Sequence, residues 1–107
     1  MRGAALGLIE TIGLTTAIAA LDAACKTADV TLVGYEKIIG TDKAVSVTIQ
    51  IVGEVSAVQA AVSAGIIAAQ RVGKVFSSRV IPRPHEEVAE LIRRFEENLK
   101  NKKNKEE

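Results

Sequence analysis

Residues 44–52, AVSVTIQIV, constrain the fold most strongly, because Val45, Val47, Ile49 and Ile51 alternate with Ser46, Thr48 and Gln50. Successive side chains of a strand point to opposite faces, so this period of two predicts a strand with one apolar face on a core and one polar face turned elsewhere. A sheet built from such a strand needs a covering layer. Leu14, Ile18, Leu21 and Cys25 recur at spacings of four, three and four, which predicts a helix beginning near Gly13, with Thr11 available as a cap, and ending around Ala28. Asp22 and Lys26 are placed as an i,i+4 pair on its exposed side. After Gly53 the helical period returns in Val55, Val58, Val62, Ile66, Ala69 and Val72, with Glu54 near the positive end of the dipole and Gly73 as the C-terminal stop. The other face of this second helix carries Ala61, Ala64, Gly65, Ile67 and Ala68, small and apolar for a surface, and predicts close neighbours on more than one side.

Three further strands accompany the helices. Residues 4–10, AALGLIE, are a short apolar run ending at a turn signal, and residues 30–39, VTLVGYEKII, are rich in β-branched residues. Gly34 inside the latter suggests a bulge or a close neighbour. Residues 74–81, KVFSSRVI, read as a strand that Pro82 and Pro84 stop by removing two backbone donors. Pro84 suits the first turn of a last helix, where Glu86 and Glu87 complement the dipole and Val88, Leu91, Ile92, Phe95 and Leu99 recur at helical spacing. The order strand, helix, strand, strand, helix, strand, helix is an α+β, ferredoxin-like βαββαβ plan with an added C-terminal helix. With 107 residues there is room for one domain, residues 1–99, and the apolar-free residues 100–107, KNKKNKEE, are expected to be a disordered charged tail.

Composition removes several function classes. The chain is 48% hydrophobic but 3% aromatic, so its core is built from Ala, Val, Ile and Leu, which favours close approach of backbones. A net charge of +1, from 14 basic and 13 acidic residues, supplies no field for phosphate backbones, and Tyr35, Phe76 and Phe95 are too few for base stacking, so nucleic acid is not expected as a partner. The glycines form neither GxGxxG nor GxxxxGK(S/T). Cys25 continues the apolar stripe of the first helix and is expected to be a small core residue, while His85, after Pro84, is expected at the surface or in packing. No catalytic constellation, metal cluster or cofactor is therefore anticipated, and the chain is not expected to be an enzyme. No apolar run approaches the roughly 20 residues of a membrane helix, and MRGAALGLIE is too short for a signal peptide, so a cytoplasmic protein away from the membrane is expected.

Three stretches, ALGLIETIGLTTAIAALDAACKTADVTLVGYEKI, VGEVSAVQAAVSAG and SSRVIPRPH, in this order and spacing across about residues 4–92, resemble the single-domain, hexamer-forming shell proteins of bacterial microcompartments, those of the BMC-H type. The resemblance implies a homohexameric tile, joined edge to edge with other shell proteins into a polyhedral shell, with a central pore for small polar metabolites. It further implies contacts with encapsulated enzymes or their targeting peptides. Lys26 falls on the family's edge lysine in the D-x-x-x-K stretch, and Arg83 on the arginine of the P-R-P-H stretch that meets a neighbouring tile. Asp29 stands where many relatives have Asn, adding an acid near a basic edge. A purely local role for Lys26, pairing with Asp22, would be worth only about 0.3 to 0.5 kcal/mol.

The family places its pore loop between the second and third strands, here Ile39, Gly40, Thr41, Asp42 and Lys43. Many relatives have a compact K-I-G-S-G-type turn, whereas KIIGTDKAVSV takes several more residues before Gly53 and Glu54. Sixfold repetition would turn Thr41 into a ring of hydroxyls and Asp42 into a ring of carboxylates. Two like charges ~8 Å apart in water repel by only about 0.5 kcal/mol, yet many pairs in a narrow, drier throat add up. Either Asp42 and Lys43 offset each other across subunits, or both point away and leave Gly40 amides and Thr41 hydroxyls as the lining. The alternative function on the same topology is an oligomeric small-molecule sensor whose long hairpin binds a ligand.

Overall fold

The structure, a computed structural model, describes residues 4–39, 45–88, 90–94 and 97. In chain order its elements are β1 (Ala5–Ile12), α1 (Leu14–Thr27), β2 (Thr31–Ile39), β3 (Val45–Gly53), α2 (Val55–Gln70) and β4 (Val75–Ile81). The strands form one sheet in the order β2-β3-β1-β4, every neighbouring pair antiparallel. This is the ferredoxin-like arrangement that the element order implies. Residues 86–88 and 90–94 are helical, so the added helix follows Pro84. The expected tail, residues 100–107, lies outside the described residues.

The alternation in β3 determines the inner face of the sheet. Val47, Ile49 and Ile51 are buried with Ala5 and Ile9 of β1 beneath the two helices. Burying each such side chain stabilises by about 1.5–3 kcal/mol, and this row is what holds the helical layer in place. β1 runs two residues beyond the expected end, because Thr11 and Ile12 still pair with Val47 and Ser46. Thr11 therefore does not cap α1: its side chain is fully buried, and its hydroxyl lies within reach of the Gly13 carbonyl at 3.2 Å and the Val47 carbonyl at 3.4 Å. Gly13 takes the cap position at φ 90°, a left-handed conformation that disfavours residues with a Cβ.

The facing of α1 differs from the expected one. Its buried residues are Thr16, Ala17, Ala20 and Ala24, while Leu14 and Ile18 are 55% and 53% exposed and Cys25 is exposed, so Cys25 is not a core residue. The cause is the close approach of α1 to α2. A Cβ added at Gly65 of α2 would stand 3.0 Å from the Ala20 carbonyl oxygen and 2.8 Å from Cδ1 of Ile9. Only small side chains fit such a contact, so Leu14 and Ile18 face outward, while Leu21 packs partly against the core. Part of the small face of α2 thus finds its neighbour inside the same chain, with Ala61 and Gly65 buried, while Ala64 and Ala68 are half-buried and Ile67 is exposed. Gly73 acts at the helix end as expected, its N–H donating to the Ala69 carbonyl at 2.9 Å.

The outer face of the sheet carries a second, smaller cluster of Ala4, Leu6, Val33, Val52 and Ile92, flanked by Leu8, Ile81 and Val88. The added helix lies here, with Ile92 on the sheet and Leu91 exposed; Phe95 and Leu99 lie outside the described residues. The bulge foreseen at Gly34 is present as a register shift between Leu32 and Gly34, and the extra residue, Val33, is buried in this cluster.

Candidate functional site

Strand register sorts the candidate residues to opposite ends of the molecule. At one end, Ala5 pairs with Gly53, Leu6 with Ile81 and Thr31 with Val52. Lys26 lies in the last turn of α1 and Arg83 just beyond β4, both exposed. Asp29, exposed in the connection to β2, has its carbonyl oxygen 3.0 Å from the position a Gly53 Cβ would take. The Lys26 Nζ sits 2.9 Å from Oδ2 of Asp22, the expected i,i+4 pair, with both side chains largely solvated. At the other end, Ile12 pairs with Ser46 and Ile39 with Val45, and the Gly13 N–H donates to the Val45 carbonyl at 2.6 Å. Ile39 is the last residue of β2 and is exposed; Gly40, Thr41, Asp42 and Lys43 lie outside the described residues. The length of β1, about 23 Å at ~3.3 Å per residue, separates the two ends.

Between these ends the flank of the molecule is open. α1 lies over β1 and β3, and α2 over β1, β4 and part of β3, so β2 is the strand least covered by these helices. The exposed Leu14 and Ile18 and the half-buried Leu21 of α1 then face Leu32, Tyr35 and Lys37 of β2 across a groove of about 380 Å³, floored by Val47 and Ile49. Leu14, Ile18 and Tyr35 are each more than half exposed along it. Sequence reasoning assigned the Leu14 stripe to the interior and so missed the groove. The signal that could have found it is the parallel stripe Ala17, Ala20 and Ala24, which suits the close backbone approach expected from a core poor in aromatics.

On the outer sheet face, Glu10 binds both neighbouring strands. The Ser46 hydroxyl donates to Oε2 at 2.6 Å and the Ser77 hydroxyl to Oε1 at 3.0 Å. Charge-assisted bonds of this type stitch β1 to β3 and β4 at the edge of a shallow depression of about 350 Å³ that also includes Thr48 and Arg79. Sequence reasoning missed this clasp, since it depends on strand pairing. His85 is used locally, its Nδ1 accepting the Glu87 N–H at 3.2 Å as the last helix begins. On that helix the Arg93 guanidinium, hydrogen-bonded to Glu90, holds the Glu90 carboxyl below the usual carboxylate range and is itself raised. Among the described residues no His, Cys, Asp or Glu cluster could hold a metal ion, and no helix is long and apolar enough to cross a membrane. The described residues present exposed apolar and charged surfaces on both flanks of the sheet.

Comparison with known proteins agrees with this picture of surfaces. The chain is 51% identical over 92 residues to the bacterial microcompartment shell protein PduA of Citrobacter freundii, covering 86% of this chain and 95% of that protein. It is 51% identical over 90 residues to the carboxysome shell protein CcmK2 of Synechococcus elongatus, covering 82% and 84%. To the bacterial microcompartment shell protein EutM of Salmonella typhimurium it is 47% identical over 88 residues, covering 82% and 88%. Among solved structures, a microcompartment protein from Desulfitobacterium hafniense matches with a TM-score of 0.70 at 34% identity over 80% of this chain. The chain spans 47% of that longer protein, about half its length. The family model described as the BMC domain matches residues 5–84, nearly all of the helix-and-sheet core, and the chain belongs to the BMC domain family.

Proposed function

We propose that this chain is a structural shell protein of a bacterial microcompartment, whose copies close into a hexameric tile with a central pore and meet other tiles at their rims. The observation that carries the reading is the polarity of the subunit. Lys26, Asp29 and Arg83 stand at one end of the strands, and Ile39 and Val45, between which the expected pore loop runs in sequence, stand at the other. Subunits arranged radially would bring every hairpin to the axis and every basic edge to the rim. Metabolites would cross by diffusion, with no turnover by the protein itself. The compartment would lie in the cytoplasm, and the partners are further copies, other shell proteins and the enzymes enclosed. The ligand-sensor alternative has no comparable support, because the relatives named above are shell proteins.

The reading is tested by electron microscopy of the concentrated protein, which should show flat sheets, tubes or facets. Lys26→Asp should abolish these while leaving the hexamer intact by native mass spectrometry. Discrete particles for the unmodified protein, with saturable binding of a small ligand, would favour the sensor instead.

A further inference from the structure

We infer that neighbouring copies join laterally through a knob and a groove: Phe76 of one copy seats in the α1–β2 groove of the next, with Arg79 of the first facing Glu36 of the second. The inference rests on the ring reading above and names the surfaces that close the ring. A cyclic assembly needs two different patches, one on each flank of the subunit, whereas a twofold dimer needs one self-complementary patch. Apart from Leu91 on the last helix, the exposed large apolar residues divide in that way. Leu14, Ile18, Tyr35, Ile38 and Ile39 belong to α1 and β2, and Ile67, Val72 and Phe76 belong to α2, its following turn and β4. Because β2 and β4 are the outermost strands, the two groups lie on opposite flanks.

Phe76 has the geometry of a knob. The β1–β4 register pairs Glu10 with Ser77 and Thr11 with Val75, which leaves Phe76 as the extra residue of a bulge on an edge strand, 65% exposed. Bulges re-aim side chains and spoil edge-to-edge strand pairing, so β4 offers a side chain where a flat edge would offer backbone. An aromatic ring entering an apolar groove is the usual energetic centre of a protein contact.

The charges match on the outer side of the same two flanks. The register Glu36–Thr48–Glu10–Ser77 places Glu36 on the outer face of the sheet, and the pairing of Arg79 with Leu8 places Arg79 on that face as well. Both are exposed. When the β4 flank of one copy meets the β2 flank of another, an acid and a guanidinium come together beneath the apolar joint, which sets direction and register.

Cysteine cross-linking tests the joint in the full chain. On a Cys25→Ser background, oxidation of the doubly substituted Tyr35→Cys, Phe76→Cys protein should give a covalent ladder ending at the ring, while either cysteine alone should give none. Glu36→Arg and Arg79→Glu should each raise the concentration at which the assembly dissociates by at least about tenfold, and the double swap should recover most of that loss. Recovery excludes misfolding as the cause. A native ring with no ladder and no response to either charge change overturns the joint and leaves the ring reading standing. A monomeric, folded parent protein overturns both.

Discussion

Helix α1 carries two stripes at helical spacing, and they meet opposite fates. Thr16, Ala17, Ala20 and Ala24 are buried against α2 and the sheet, whereas Leu14 and Ile18 stay more than half exposed beside β2. Hydrophobicity alone would place the larger residues inside. Close packing reverses the order here, because the backbone of α1 comes so near Gly65 that volume decides the facing. The small stripe helps build the subunit, and Leu14 and Ile18 of the large stripe are left exposed, where the proposed joint would cover them.

The comparison breaks most sharply on the inner stripe. Gly65→Val places methyls against the Ala20 carbonyl and the Ile9 side chain, and overpacking of this kind costs about 1–3 kcal/mol, read as a lower urea midpoint of the subunit with assembly falling in parallel. On the outer stripe the two readouts should separate. Ile18→Ser should change the stability of the isolated subunit by no more than about 0.5 kcal/mol, since the site is half exposed. It should nevertheless move the oligomer to smaller species in sedimentation velocity. If Ile18→Ser destabilised the subunit as strongly as Gly65→Val, the division of labour would be wrong.

The smallest expected effect lies outside both stripes, on the last helix. Arg93 lowers the Glu90 carboxyl from an ordinary value of 4.5, so this pair favours the folded state above that value and its contribution is lost as pH falls through the lowered one. Both side chains are about half exposed. Arg93→Ala should therefore shift the unfolding midpoint only slightly at neutral pH, and the shift should vanish once the pH is low enough to protonate the carboxyl in both states. A loss that persisted in acid would point to packing by the arginine stem.

The topology was legible because period and order are local properties. Val45 to Ile51 alternate cleanly, and the two helical segments stand where a split βαβ plan needs them. The Asp22–Lys26 pair was equally legible, because i,i+4 spacing on a helix fixes it. The facing of α1 was not, since both stripes satisfy the helical period and the choice depends on Gly65, some 45 residues away by the numbering. Cys25 went with the wrong stripe for the same reason. The Phe76 bulge and the Glu10 clasp stayed hidden because each arises from how β1 pairs with strands distant in sequence. What sequence placed at the rim, Lys26, Asp29 and Arg83, the structure gathers at one end, and their role there belongs to the proposed assembly.

The central claim is that a subunit with such a flank does not persist alone. Native mass spectrometry of the full chain at micromolar concentration tests it most directly. The account predicts a hexamer as the dominant species, with folded monomer at most a minor one. A folded monomer as the main species, carrying the compact charge distribution of a globular protein, would contradict it.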